Sequence, residues 1–269
     1  AIEAADKMLK AADVELIAYE NVGSTLVTIM VKGDVAAVKS SVEAGAAAAA
    51  AIGKLTAKNV MPRPIRAVGD VVSIFPKNVV EWMKIPERFL ATAVNGKVFF
   101  DERGEFTRAR EVLKGFYPDD VLRKKLASRL ANMAQTGQYN YLRCARRGDF
   151  AAAYLCFSEF VKLSLSAVFL LNKEYMPFYK WAFRGAGQLN SLKEVIELLE
   201  ELILMPDNTD TVFIKFDKIE FICRLIAKES AKNFEYKLED NFLETHAKVL
   251  MSQIKDERIA ALHIMADFD

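Results

Sequence analysis

The first part of the chain alternates between helical and strand spacing of its apolar residues. Ile2, Ala5, Leu9 and Ala12 recur at helical intervals and predict an amphipathic helix over residues 1–12. Val14 to Tyr19 and Thr25 to Val31 are β-rich runs, and Asn21-Val22-Gly23-Ser24 between them reads as a hairpin connection. Asp34 stands where an N-cap would open a helix from Val35 to Ile52, and Gly53 where that helix would stop. A third strand is expected from Leu55 to Val60, ended by the prolines of Met61-Pro62-Arg63-Pro64, with a short helix from Ile65 to about Ile74. The order helix, strand, strand, helix, strand, helix describes an α/β layer.

From residue 76 onward the pattern is almost wholly helical. A helical stretch follows Trp82 and runs to about Val94, and Lys97 to Glu105 reads as a short strand and turn. Helices are expected at about 106–115, 119–135, 140–147 and 149–175, with Pro177 permitting a break before Tyr179 to Leu189. Ser191-Leu192-Lys193-Glu194 has the form of a capping box for a helix to about Leu204. Three more helices are expected near 210–232, 239–254 and 256–267. The fold class is therefore α+β: an α/β layer over residues 1–75, then an all-α helical bundle over residues 76–269 with short loops.

Composition sharpens that boundary. Tyr19 and Phe75 are the only aromatics up to residue 75, and every cysteine, histidine and tryptophan lies beyond it. Over the 269 residues, 37 Lys and Arg against 36 Asp and Glu leave a net charge of +1, so no bulk field favours nucleic acid or an anionic membrane. Cys144, Cys156 and Cys223 form no even framework and, with His246 and His263, no metal-ligand spacing. The expectation is a reducing cytoplasm, no metal and no cofactor. The best candidate for a span, Leu163 to Leu171, is about nine residues, follows Lys162 and falls short of a bilayer, so no membrane partner is expected. The opening Ala-Ile-Glu-Ala-Ala-Asp starts in mid-pattern without Met, which suggests that the natural chain extends upstream.

Five blocks of the first part form a recognisable series: residues 1–14, Val22-Gly-Ser-Thr-Leu-Val-Thr, Lys32-Gly-Asp-Val-Ala-Ala-Val-Lys, Glu43-Ala-Gly-Ala-Ala-Ala-Ala and Met61-Pro-Arg-Pro. In this order they closely resemble the hexamer-forming shell proteins of bacterial microcompartments, over residues 1–75. The resemblance implies flat sheets of hexamers around enzyme cores, with a pore on each sixfold axis. It places Gly23, Ser24 and Thr25 at the pore, where hydroxyls and amides would pass small polar metabolites. It also places Lys10 and Arg63 at the edges where hexamers meet. It implies homo-hexamers, other shell proteins as partners, and a site in the microcompartment shell of the bacterial cytoplasm. The family's usual opening strand, reading like Ala-Leu-Gly-Met-Ile-Glu-Thr, is missing here, leaving a three-stranded, incomplete domain.

The second part carries four blocks: Trp82-Met-Lys-Ile-Pro-Glu, residues 95–107, Met133-Ala-Gln-Thr-Gly-Gln-Tyr-Asn and residues 170–181. It resembles, over about residues 78–265, an uncharacterised helical domain that usually follows a nucleotidyltransferase domain. That resemblance implies a substrate-side helical domain whose catalytic neighbour is absent. Gly23-Ser24 cannot supply that neighbour: Asp34 is followed by Ala36 where two-metal chemistry needs a second carboxylate. No catalytic residue is therefore assigned. Gln138, Tyr139, Asn140, Arg143, Tyr175, Lys180 and Trp181, with Asn172 and Tyr179, either line a pocket for a small molecule or nucleotide or tie helices together. Lys124, Lys125 and Arg129, with Arg146 and Arg147, read as solvated basic faces. Two functions follow: a non-enzymatic shell subunit with an appended helical binding module, or the substrate-binding part of a nucleotidyltransferase-like protein.

Overall fold

The two β-rich runs at the start of the chain pair with each other. In the computed structural model, which describes residues 2–22, 26–60, 76, 78–96 and 105–267, β1 (Val14–Val22) and β2 (Leu26–Gly33) form a two-stranded antiparallel sheet. The register runs from Val14 opposite Gly33 to Val22 opposite Leu26, with an irregularity between Leu16 and Ala18. Helix α1 (Ile2–Ala11) precedes the hairpin and α2 (Val35–Ile52) follows it. Asp34 caps α2 as its sequence position requires, its carboxylate accepting the Ala36 N–H at 2.9 Å.

Close approach of α1 to α2 depends on Gly45. A Cβ there would lie 2.3 Å from Met8 Cγ, so any side chain would displace the buried Met8. Ser41 fixes the same contact by donating to the Met8 carbonyl at 2.9 Å. The third strand expected from Leu55 to Val60 does not form. Residues 54–60 are irregular and almost entirely exposed, because β propensity produces a strand only where a sheet edge accepts its hydrogen bonds. The helix expected from Ile65 to Ile74 lies outside the described residues, as does the strand and turn expected over 97–104.

The chain divides into two compact units, residues 1–75 and 76–269. The second is helical among its described residues: α3 (Val79–Lys84), α4 (Glu87–Val94), α5 (Glu105–Lys114), α6 (Asp119–Met133), a π-helical segment (Ala134–Tyr141), α7 (Leu142–Arg146) and α8 (Phe150–Leu171). Then come α9 (Tyr179–Ala186), α10 (Lys193–Leu204), α11 (Val212–Asn233), α12 (Leu243–Ser252) and α13 (Glu257–Ala260). The core centres on α6 and α8, where Leu126, Leu130, Phe160 and Val168 are fully buried.

Four departures from the sequence pattern have local causes. No break separates 135 from 140: the helix widens into a π-helical segment, and Gly137 sits where a Cβ would fall 2.4 Å from the Phe160 ring. The capping box at Ser191 is not made, because Asn172 clamps Ser191 by accepting its N–H (2.8 Å) and donating to its carbonyl (3.2 Å). Leu192 then takes a left-handed conformation ahead of α10, with φ 64°. The last helix ends at Ala260 instead of continuing to 267, and residues 261–267 form an irregular strap whose carbonyls turn toward α6. Finally, two helices are long and apolar enough to cross a membrane, α2 and α8, where the sequence run suggested none. Lys162 interrupts the apolar run of α8 without ending the helix, and 67% of its apolar window is buried inside the bundle.

Candidate functional site

Lys10 closes the solvent-facing end of α1. Its side chain is 71% exposed and pairs with Asp6 one turn back at 2.8 Å, which pushes the ammonium pKa up. It borders a shallow groove of about 450 Å³ with Lys7, Ala11, Ala44, Ala47 and Ala48, where the alanine run of α2 leaves little side-chain bulk beside two ammonium groups. Gly23, Ser24, Thr25 and Arg63, the other residues singled out in this unit, lie outside the described residues.

The residues singled out in the helical unit fall into separate groups. Gln138 is a splint: its amide donates to Glu220 (2.9 Å) and to the Asn241 carbonyl (3.0 Å), and its oxygen accepts the Leu243 N–H (2.9 Å). Tyr175 is buried, donates to the Leu113 carbonyl at 2.8 Å, and packs on Phe116 and Tyr117. Burial and the nearby Glu87 charge raise its pKa. Asn172 is spent on Ser191. Exposed Arg143 stacks on exposed Tyr139 at 4.6 Å and donates to its hydroxyl. Lys180 lies 5.5 Å from the Trp181 ring on exposed α9, beside Tyr179. No hydrogen bond or ring contact among the described residues joins one group to another, and Asn140 makes none of its own.

Two polar networks are buried instead. Lys215, 1% exposed, donates to Asp207 (2.9 Å) and to the Met205 carbonyl (3.0 Å) and lies 3.8 Å from the centre of the Phe157 ring. Tyr141 donates to the other Asp207 oxygen at 2.8 Å, so one carboxylate compensates the buried ammonium and anchors the end of the π-helical segment. Elsewhere, Ser230, Tyr236 and His246 form a chain with successive distances of 2.9 Å, and His246 Nε2 meets the Asp240 carbonyl at 2.6 Å. Both ring nitrogens of His246 are thereby engaged in tying α11 to α12.

The reading of Lys124, Lys125 and Arg129 as a solvated face is overturned. Lys124 and Lys125 have no exposed surface and Arg129 is 7% exposed. Lys124 donates to the carbonyls of Ile264 (3.1 Å) and Ala266 (2.6 Å), Lys125 to Asp267 (3.1 Å), and Arg129 to the second Asp267 oxygen. Ser128 and Asn132 donate to the Met265 carbonyl at 2.9 and 3.1 Å. Arg129 also donates to Ser166 (2.8 Å), which donates to buried Glu87 at 3.3 Å. Burial pushes the Lys124 pKa down to about 8. Positions 124, 125, 128, 129 and 132 form one polar stripe along α6, whose opening residues also include Asp119, Asp120 and Arg123.

Comparison with known proteins assigns a family to the first unit and a matching segment to the second. Residues 1–64 match the model of the BMC domain. Bacterial microcompartment shell protein PduA of Citrobacter freundii is 53% identical over 79 residues, 29% of this chain and 82% of that protein. The chain belongs to the bacterial microcompartment shell proteins. EutM of Salmonella typhimurium, another shell protein, is 51% identical over 75 residues, 28% of this chain and 75% of its own length. The carboxysome assembly protein CcmO of Synechococcus elongatus shares 53% identity over 69 residues, 26% of this chain and 25% of that protein. Residues 82–182 match a domain of unknown function, DUF4037. Relative to these shell proteins, this family member carries its likeness in the first unit and a larger helical unit beside it.

Proposed function

We propose that the chain is a structural, non-enzymatic subunit of a bacterial microcompartment shell in the bacterial cytoplasm, with its helical unit carried as a binding module. In this reading six amino-terminal units close a ring, Gly23, Ser24 and Thr25 line a pore for small polar metabolites, and Lys10 and Arg63 join ring to ring and to other shell proteins. The carrying observation is the 53% identity over most of the length of a shell protein. The exposed Lys10 beside a groove of alanines agrees with an edge that a neighbour covers.

The test is the solution mass of the purified chain by light scattering on a sizing column. A closed ring gives six times the chain mass of 30.2 kDa, whereas a mass of one chain at all concentrations sinks the shell reading. Once a ring is measured, Ser24→Leu should narrow passage of polar solutes through assembled shells without altering ring mass.

A further inference from the structure

We propose that the buried cationic face of α6 is a phosphoryl-binding site, and that the strap of residues 264–267 occupies it in this structure. The proposal rests on the reading of the helical unit as a binding module and gives that module a ligand class.

The face is built from donors. Lys124, Lys125, Ser128, Arg129 and Asn132 occupy one stripe of α6, and each donates a hydrogen bond to the strap. The strap answers with oxygen acceptors: the carbonyls of Ile264, Met265 and Ala266, then the Asp267 carboxylate. Neither helix nor strand holds residues 264–267, which are themselves only half-buried over groups of 0–7% exposure. Behind the stripe, Ser166 and Glu87 fix the Arg129 guanidinium from the core side, which leaves its fork aimed at the strap.

Energetics argue that Lys124, unlike the directly paired Lys125 and Arg129, serves more than cohesion. Burying an ammonium costs several kcal/mol, and an apolar side chain of the same size would hold a helix at least as well. Lys215 shows what a structural solution looks like in this bundle, a carboxylate in direct contact and an aromatic face beneath, and Lys125 repeats it with Asp267 at 3.1 Å and the Tyr117 ring at 5.5 Å. Among the described residues Lys124 receives two carbonyl dipoles, with Asp267 acting on it at longer range. A phosphate oxygen in place of those carbonyls would bring the full negative charge into contact.

Extent selects the class of anion. From Lys124 to Asn132 the donors run along about 12 Å of helix, at roughly 1.5 Å per residue. The single Asp267 carboxylate takes Lys125 and Arg129 together, and the remaining donors along that length need further acceptor oxygens, which linked phosphates would carry. Every donor also lies inside residues 82–182, the segment matched by the domain of unknown function.

The test is calorimetric titration of the full chain with inorganic triphosphate and, separately, with ATP. Asp267→Asn weakens the occupant and should tighten binding about tenfold, since the apparent affinity scales with the fraction of chains whose strap is open. Adding Arg129→Gln should lose that binding. Hydrogen exchange of the strap amides in the wild-type chain should rise on adding triphosphate, and this reading needs no variant to fold. Equal affinity for both ligands supports a free polyphosphate, and tighter ATP binding supports a nucleotide. No saturable binding of either to folded Asp267→Asn, or binding indifferent to both substitutions, overturns the proposal. The mass of the same samples separates the outcomes: a ring without triphosphate binding sinks this site and spares the shell reading, and a single-chain mass with binding does the reverse.

Discussion

The two units bury their residues on different plans. Among the described residues of the first, only Ala4, Met8, Ser41 and Gly45 are buried, all at the crossing of α1 and α2. The second has a continuous core from Trp82 to Ile259, with many side chains at zero exposure. If neighbours cover the faces of the first unit, as the proposed ring requires, its stability should depend on protein concentration. A bundle with its own core owes nothing to neighbours. The first plan fits the proposed shell assembly, and the second fits the proposed binding module.

The sharpest way to break this comparison is to damage one core and watch the other unit. Phe160 is fully buried between α8 and the π-helical segment, against Gly137. Phe160→Ala should cost the helical unit about 3–5 kcal/mol in denaturant unfolding. Scanning calorimetry should show that loss in one transition, while the other keeps its midpoint and its dependence on protein concentration. A single transition that shifts as a whole would mean that the two units share one cooperative core, and the contrast between them would fail.

Sequence pattern reached different depths in the two units. Capping chemistry set α2 to the residue, because Asp34 and Gly53 act through the backbone next to them. Leu55 to Val60 misled, because strand formation depends on an edge elsewhere in space. Ser191 misled for a related reason: Asn172, nineteen positions away, competes for its backbone. Within the candidate sites, Lys10 was singled out by the family resemblance alone, since its place in the amphipathic helix reads as an ordinary solvated charge. Lys124, Lys125 and Arg129 were not legible, since lysine and arginine are nearly always solvated and only the strap from residue 264 onward buries them. Helical spacing showed the stripe; nothing local showed its cover.

A smaller effect sharpens the comparison through pH. The Lys124 pKa falls from the ordinary 10.5 to about 8 in the folded chain. Between those values the unfolded chain holds a proton that the folded chain has shed, so stability of the helical unit should rise with pH, by at most about 1.4 kcal/mol per pH unit. Buried Lys215, also lowered, adds in the same direction. Above pH 10 the raised pKa values of Tyr141 and Tyr175 reverse the sign, because the unfolded tyrosines lose protons first. Melting curves at pH 8 and 10 should therefore separate for the helical unit and less so for Lys124→Met. An identical pH response in that variant would show that the strap carbonyls satisfy Lys124 fully, which also removes an energetic argument for the site beneath it.

The smallest expected effect on stability belongs to Lys10, and that makes it the cleanest probe of the first unit. Its side chain is 71% exposed, and its ion-pair partner Asp6 sits on the same helix, so among the described residues no hydrogen bond or ion pair to another element depends on it. Lys10→Ala should leave both melting transitions and the ring mass where they were. Its loss should appear one level up, as rings that no longer tile into extended sheets in electron micrographs. Gly45→Val is the counterpart: its Cβ would collide with Met8 at the α1–α2 crossing, so folding, ring and sheet should fail together. Sheets that form normally from Lys10→Ala would remove Lys10 from the edge, and a collapsed ring mass would move it to a contact inside the ring.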